Sequence, residues 1–278
     1  MKQKINMVGG GFQHDVCSSA LNQNKFVEWV KDGSANISIH IDNGLFYQVN
    51  PNKKNYGWLA ESSAIIADVI EKICNNLNYF KQKYEFIFTH DRRIIEKDDQ
   101  FFKFVVPNAL PYIQNKSIYK KTKLVSFIGS NKTMCNGHNF RQQMIHKYNH
   151  IVDHYGRGFG NRELPWVYTF NNIEESGKLI GLKDYMFSFA MENDNYDDIF
   201  CEKITDCFAT GTIPIYWGTK NIKNYFDING ILELNEGLDI SMLTEELYLS
   251  KLNSIQNNFK LCNNMQTSED YAYLNYIK

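Results

Sequence analysis

The residues best suited to chemistry fall between Asp184 and Gly218. Glu192 and Asn193 follow directly on Tyr185–Met191, an apolar and aromatic run with the length of a buried strand, so they are expected at a strand's carboxyl end. Glu202 and Lys203 open the next periodic segment, in which Phe200, Ile204, Cys207 and Phe208 recur at helical spacing until Gly211, a helix C-cap signal. A lysine on the first turn of a helix, beside unpaired backbone N–H groups, suits an anion such as a phosphate. Thr212–Trp217 reads as a second strand, with Pro214 favouring its start or a sheet edge. Strand, helix, strand is a βαβ unit, and in such sheets ligands lie beyond the carboxyl ends of the strands.

This unit resembles the donor-binding half of the α-1,3-fucosyltransferases, glycosyltransferase family ten. The matching elements are Phe187-Ser188-Phe189-Ala190-Met191-Glu192-Asn193, then Glu202-Lys203, then Gly211-Thr212-Ile213-Pro214-Ile215-Tyr216-Trp217-Gly218. The family's pattern Tyr-x-Thr-Glu-Lys is replaced here by Ile199-x-Cys201-Glu202-Lys203. In the family that tyrosine helps hold the nucleotide, so this is where the chain departs at the donor. The resemblance implies an α/β fold of GT-B type, with two Rossmann-like domains facing a central cleft. It implies an inverting glycosyltransferase with no metal or cofactor beyond its nucleotide-sugar donor, GDP-fucose being favoured. Alternatives are another donor on the same scaffold, such as UDP-xylose, or a catalytically silent glycan- or nucleotide-binding protein.

The same resemblance assigns residues elsewhere. A strand Lys123–Gly129 ending in Ser130-Asn131 is followed by a helix carrying Arg141, which matches the family's pyrophosphate-binding arginine, and Tyr155-Gly156 matches the next strand and turn. In the N-terminal half, Trp58–Ala60 reads as a strand, Glu61 matches the family's general base, and Glu61-Ser62-Ser63 is expected to cap a helix over 65–77. The plain reading of Glu61 is a helix-start carboxylate. His14, after Gly9-Gly10-Gly11-Phe12, and His90, at the end of the strand Tyr84–Asp91, are candidate acceptor contacts. His90 and Asp91 cannot easily form a dyad, because adjacent strand residues point to opposite faces. Donor binding would then fall to Arg141, Glu192, Asn193, Glu202, Lys203, Ser130, Asn131, Tyr155 and Gly156. Lys203→Ala is expected to cut turnover with thermal unfolding near wild type.

These residues need two domains to position them, and 278 residues suffice for an acceptor-binding domain over 1–118 and a nucleotide-sugar-binding domain over 119–278, whose last helix packs back on the first. Other elements expected are a strand at 4–8, a helix-like 24–30, a strand at 36–41 and a helix within 243–261. Net charge of -1 gives no electrostatic case for nucleic acid. The six cysteines are scattered without a C-x-x-C pair, which points to free thiols. With neither an apolar run of about 18 residues nor a signal-peptide pattern, a soluble cytoplasmic protein is expected, and because animal members of the resembled family carry a membrane anchor and stem, the resemblance implies a bacterial- or virus-type enzyme. The acidic loop Asp194–Asp198 lacks the EF-hand glycine pattern, so no metal site is assigned to it.

Overall fold

The computed structural model describes residues 2–10, 16–158, 162–195 and 198–278. It divides into two compact units: Met1–Ala109 with Tyr196–Ile199 and Gln266–Lys278, and Leu110–Asn195 with Phe200–Met265. His14 lies outside the described residues.

The first unit is built on six parallel strands: β1 (Gln3–Val8), β2 (Val27–Val30), β3 (Ile37–Ile41), β4 (Lys54–Leu59), β5 (Ile87–Thr89) and β6 (Phe102–Phe104), in the order β2-β1-β3-β4-β5-β6. A parallel sheet is covered on both faces, and alternate residues serve the two sides. Ile39, Ile41, Tyr56 and Trp58 enter one apolar cluster, while Leu59 and Ile87 enter the other with helix α1 (Ala67–Asn75) and α2 (Leu77–Lys81). Segment 24–30 corrects the helical expectation. Val27 and Trp29 are buried and Glu28 is exposed, a period of two, and the strand pairs with β1 from Gln3↔Val27 onward.

The expected serine cap of α1 is also corrected. Its N-cap is Ile66 with no side-chain hydrogen bond, and Ser63 Oγ instead donates to Asp91 Oδ2 at 2.7 Å. Asp91 caps helix α3 (Arg92–Ile95) by accepting from the Arg93 N–H. Arg92 pairs with Asp198 at 2.6 Å in the same unit.

The second unit begins at Leu110, ahead of the boundary expected between 118 and 119. Residues 112–115 are tied into it because Asp206 accepts the N–H groups of Tyr112 and Ile113, and Glu175 those of Gln114 and Asn115. Its strands are β7 (Lys123–Ile128), β8 (Asp153–Tyr155), a hairpin of β9 (Val167–Phe170) and β10 (Ile173–Ser176), then β11 (Tyr185–Met191), β12 (Ile213–Trp217) and β13 (Leu232–Glu233). The main sheet runs β13-β12-β11-β7-β8, all parallel. Pro214 sits ahead of the pairing with β13, which starts at Ile215, so its missing N–H costs no bond there. Helix α4 (Asn136–Tyr148) leads from β7 to β8, and α5 (Glu202–Thr210) from β11 to β12. Helices α6 (Glu245–Ser250) and α7 (Leu252–Asn263) close the unit; Tyr248 of α6 and Ile255 of α7 pack in a cluster with Phe187, Phe189 and Ile215.

The segment after α7 completes the first unit. In α8 (Ser268–Ala272), Glu269 accepts from the Ser18 N–H and Trp29 Nε1–H, and Asp270 from the N–H groups of Lys25, Phe26 and Val27. Ala272 and Ile277 join the cluster under β1 and β3.

Counting strands within each unit, both sheets have the order 2-1-3-4-5, the first with a sixth strand added. The order reverses between β1 and β3 in one unit and between β7 and β11 in the other. In doubly wound sheets that switch point is where ligands bind, outside the strands' carboxyl ends.

Candidate functional site

At the switch point of the second unit, β11 delivers Met191, Glu192 and Asn193, and these three residues hold two cations from different helices. Arg141 of α4 donates to the Met191 carbonyl at 3.1 Å and to Asn193 Oδ1 at 3.3 Å. Lys203 of α5 lies 3.1 Å from Glu192 Oε2. Arg141 can come this close because α4 starts against the strand end: a Cβ at Gly137 would collide with the Asn193 carbonyl. The two cations feel each other, since Arg141 opposes the charge on Lys203.

Glu192 is 2% exposed, and a buried carboxylate needs partners. It accepts the Cys201 N–H at the N-cap of α5 through Oε1, 3.0 Å, and pairs with Lys203 through Oε2. The Cys201 thiol sits between them, 2.9 Å from Glu192 Oε2 and 2.8 Å from Lys203 Nζ. Burial first, then the neighbouring carboxylates, push that thiol well above the usual cysteine range, so it is neutral. Burial opposes the charge on Lys203, but the carboxylates of Glu192 and Glu202 overrule it and hold the ammonium above the usual lysine range. Burial lowers Arg141, and Glu192 is the main group working the other way.

Helix α5 is buried at nearly every position, including Glu202 and Asp206. Two carboxylates one turn apart inside a protein require a cation between them. Lys178, from the turn after β10, supplies it at 2.8 Å from Glu202 and 3.0 Å from Asp206. Burial pushes Glu202 up, yet Lys178 and Lys203 together draw it well below the carboxylate range. Gly211, at φ 70°, ends the helix where the C-cap signal placed it.

The Ser130 carbonyl accepts from Gln142 Nε2 at 3.0 Å, and the Asn131 N–H donates to the Arg157 carbonyl at 3.2 Å, both just beyond β7. The Tyr155 hydroxyl lies 2.7 Å from that of Tyr185, which donates to Asp153 at 2.6 Å, so it is engaged within the sheet. Gly156 has φ 110°, and a Cβ there would strike the Gly129 carbonyl, which accounts for glycine by backbone packing.

Glu61 lies in the first unit, exposed, two residues beyond the end of β4 at Leu59, with its Oε1 accepting the Ser62 N–H at 2.7 Å. Its own N–H and that of Ala60 donate to Asp42 Oδ1, at 3.3 and 2.8 Å. Burial raises Asp42 to about 6. His90 is 1% exposed, and burial holds it at about 4, a neutral core imidazole. Of the acidic loop, residues 196 and 197 are outside the described residues.

Sequence reasoning missed Lys178, Asp206, His138 and Asp42. The spacing of Glu202 and Asp206 on one helical face was the available signal for a partner cation. His138, three residues before Arg141 and 3% exposed, is held at about 4 by burial and by the positive field of Arg141, with Lys203 adding to it.

Residues 118–270, more than half of the chain, match the family described as glycosyltransferase family 10 (fucosyltransferase), C-terminal part. The chain belongs to glycosyltransferase family 10. It is 30% identical over 145 residues to alpha-(1,3)-fucosyltransferase B of Drosophila melanogaster, an alignment covering 50% of this chain and 32% of the fly protein. It is 22% identical over 197 residues to the alpha-(1,3)-fucosyltransferase FucT of Helicobacter pylori, covering 66% of this chain and 39% of that one. The chain thus spans about a third of the length of these two relatives. Crystal structures of an alpha1,3-fucosyltransferase with GDP and with GDP-fucose superpose with TM-scores of 0.51 and 0.51 at 15% and 15% identity. They cover 97% and 96% of this chain and 92% and 91% of theirs. The family 10 chain therefore has the GT-B type of fold, with a Rossmann-like parallel sheet in each unit. Among the described residues no helix is long and apolar enough to cross a membrane.

Proposed function

We propose that this family 10 chain transfers L-fucose from GDP-fucose to a glycan hydroxyl, inverting the anomeric centre in a single displacement. The observation that carries the reading is the pairing of Arg141 and Lys203 on three consecutive residues at the switch point. Arg141 bonds there to two neutral acceptors, and a buried guanidinium so placed favours an incoming anion. Mutual repulsion between the two cations is relieved when a diphosphate lies between them.

In the proposed reaction Glu61 takes the acceptor hydroxyl's proton, the oxygen attacks the anomeric carbon, and the bond from that carbon to the β-phosphate oxygen breaks. GDP leaves carrying the electron pair, its growing charge met by Arg141, Lys203 and the N–H groups at the start of α5. In this reading those cations perform the neutralisation for which other transferases recruit a metal. Asn193 and Glu192 form the floor, and Glu202 accepts from ribose or sugar hydroxyls. The fucosyltransferase names of its relatives support fucose as the sugar, and the GDP-fucose complex of a structural neighbour supports this choice of donor.

The test is release of GDP from GDP-fucose across a panel of glycan acceptors. Acceptor-dependent release that falls at least ~100-fold in Glu61→Gln supports the assignment. Release that is acceptor-dependent but unchanged in Glu61→Gln removes Glu61 as the base, and turnover of UDP-xylose alone replaces the donor.

A further inference from the structure

Lys178 has no counterpart in the motif that located the site. Its ammonium lies 2.8 Å from Glu202 Oε1 and 3.0 Å from Asp206 Oδ2, and 4.7 Å from the centre of the Tyr112 ring. The same Glu202 oxygen is 4.0 Å from Lys203 Nζ. Glu202 therefore stands between two ammonium groups and is bound by the one that the diphosphate reading does not use. All three groups are largely out of water: side-chain exposure is 21% for Lys178, 12% for Glu202 and 1% for Asp206.

At this exposure a carboxylate that loses its bonded cation is destabilised, so a Glu202 deprived of Lys178 is drawn to the next cation, Lys203, already 4.0 Å away. Lys203 already has one carboxylate in Glu192. A second at close range would reverse the sign of the pair's surroundings just where a diphosphate must approach. The 4.0 Å separation, against 2.8 Å on the Lys178 side, is the geometry that prevents this.

We propose that Lys178 is a positioning residue for donor binding: by taking Glu202 and Asp206 as its partners, it keeps Glu202 off Lys203 and leaves that ammonium to the donor's diphosphate. Because Glu202 and Asp206 are one turn apart on α5, the same contact fixes the turn that presents Lys203. The inference rests on the nucleotide-sugar reading of the site.

The experiment is calorimetric titration of GDP into wild type, Lys178→Met, Glu202→Gln, the double variant and Lys178→Arg. Lys178→Met is expected to weaken GDP binding about tenfold or more, and Lys178→Arg to restore it to within a few-fold of wild type. The decisive comparison is the double variant, which no longer has a charge at 202 to capture Lys203. It is expected to bind GDP within about threefold of Glu202→Gln alone. A merely structural lysine gives instead the product of the two single losses, and that additivity overturns the proposal. Should Lys178→Met not fold, the same cycle is run in an Asp206→Asn background, where one buried charge has already been removed, with the same two outcomes. Wild type that binds no GDP overturns the donor reading and this inference with it; wild type that binds GDP with an additive cycle overturns this inference alone.

Discussion

At the residue scale, the structure changes which substitutions are informative. Lys203→Ala was expected to spare the fold, but Lys203 is the cation paired with a Glu192 that is 2% exposed. Removing one partner of a buried pair costs roughly 3–5 kcal/mol, because the other charge stays behind. We therefore expect Lys203→Ala to lower the denaturation midpoint as well as activity. Among the described residues Arg141 donates to a backbone carbonyl and a side-chain amide rather than to a carboxylate, so Arg141→Met leaves no carboxylate without its bonded partner. It should keep stability within roughly 1–2 kcal/mol of wild type in chemical denaturation while GDP binding falls at least tenfold.

Asp42 gives a pH-dependent test at the same scale. Burial raises its folded value from 3.8 to about 6, so between those values the folded chain holds a proton that the unfolded chain has released. Its contribution to stability is full below 3.8 and is lost as pH rises through 6. Asp42→Asn, which keeps an acceptor for the Ala60 and Glu61 N–H groups, should melt above wild type at pH 8, and the gap should shrink towards pH 4. A gap of equal size at both pH values would refute the assignment.

At the scale of elements, the pattern of the donor half was legible because β11 and α5 obey simple periodicities and carry their polar residues at the ends. Segment 24–30 was not. Phe26, Val27, Trp29 and Val30 satisfy a helical spacing as readily as an alternating one, and pairing with β1 plus the Asp270 carboxylate on three consecutive N–H groups selects the strand. Lys178 was equally hidden, since its partners lie 24 and 28 residues away and only the fold brings them together. The turn after β8 offers a prediction of its own. Gly156→Ala must adopt φ 110° and displace the Gly129 carbonyl, so it should cost more than ~1 kcal/mol in chemical denaturation, with the β7–β8 pairing loosened.

For the whole molecule, the α/β class and the parallel sheets were readable from strand and helix spacing, whereas the discontinuous first unit was not. Its last segment is joined by Glu269 and Asp270 to backbone groups 251 and 245 residues earlier, a contact no local pattern encodes. A chain ending at Met265 should therefore lose the folded first unit, read as a lost thermal transition and rapid proteolysis within residues 1–109, while the second unit survives. We propose, for the molecule as a whole, that the second unit is a nucleoside-diphosphate site specified by Arg141 and Lys203. Titration calorimetry with GDP and UDP tests it most directly. GDP is expected to bind saturably and in preference to UDP, and about tenfold or more weakly in Arg141→Met with the fold retained; UDP binding without GDP binding, or GDP binding indifferent to Arg141, would overturn this assignment.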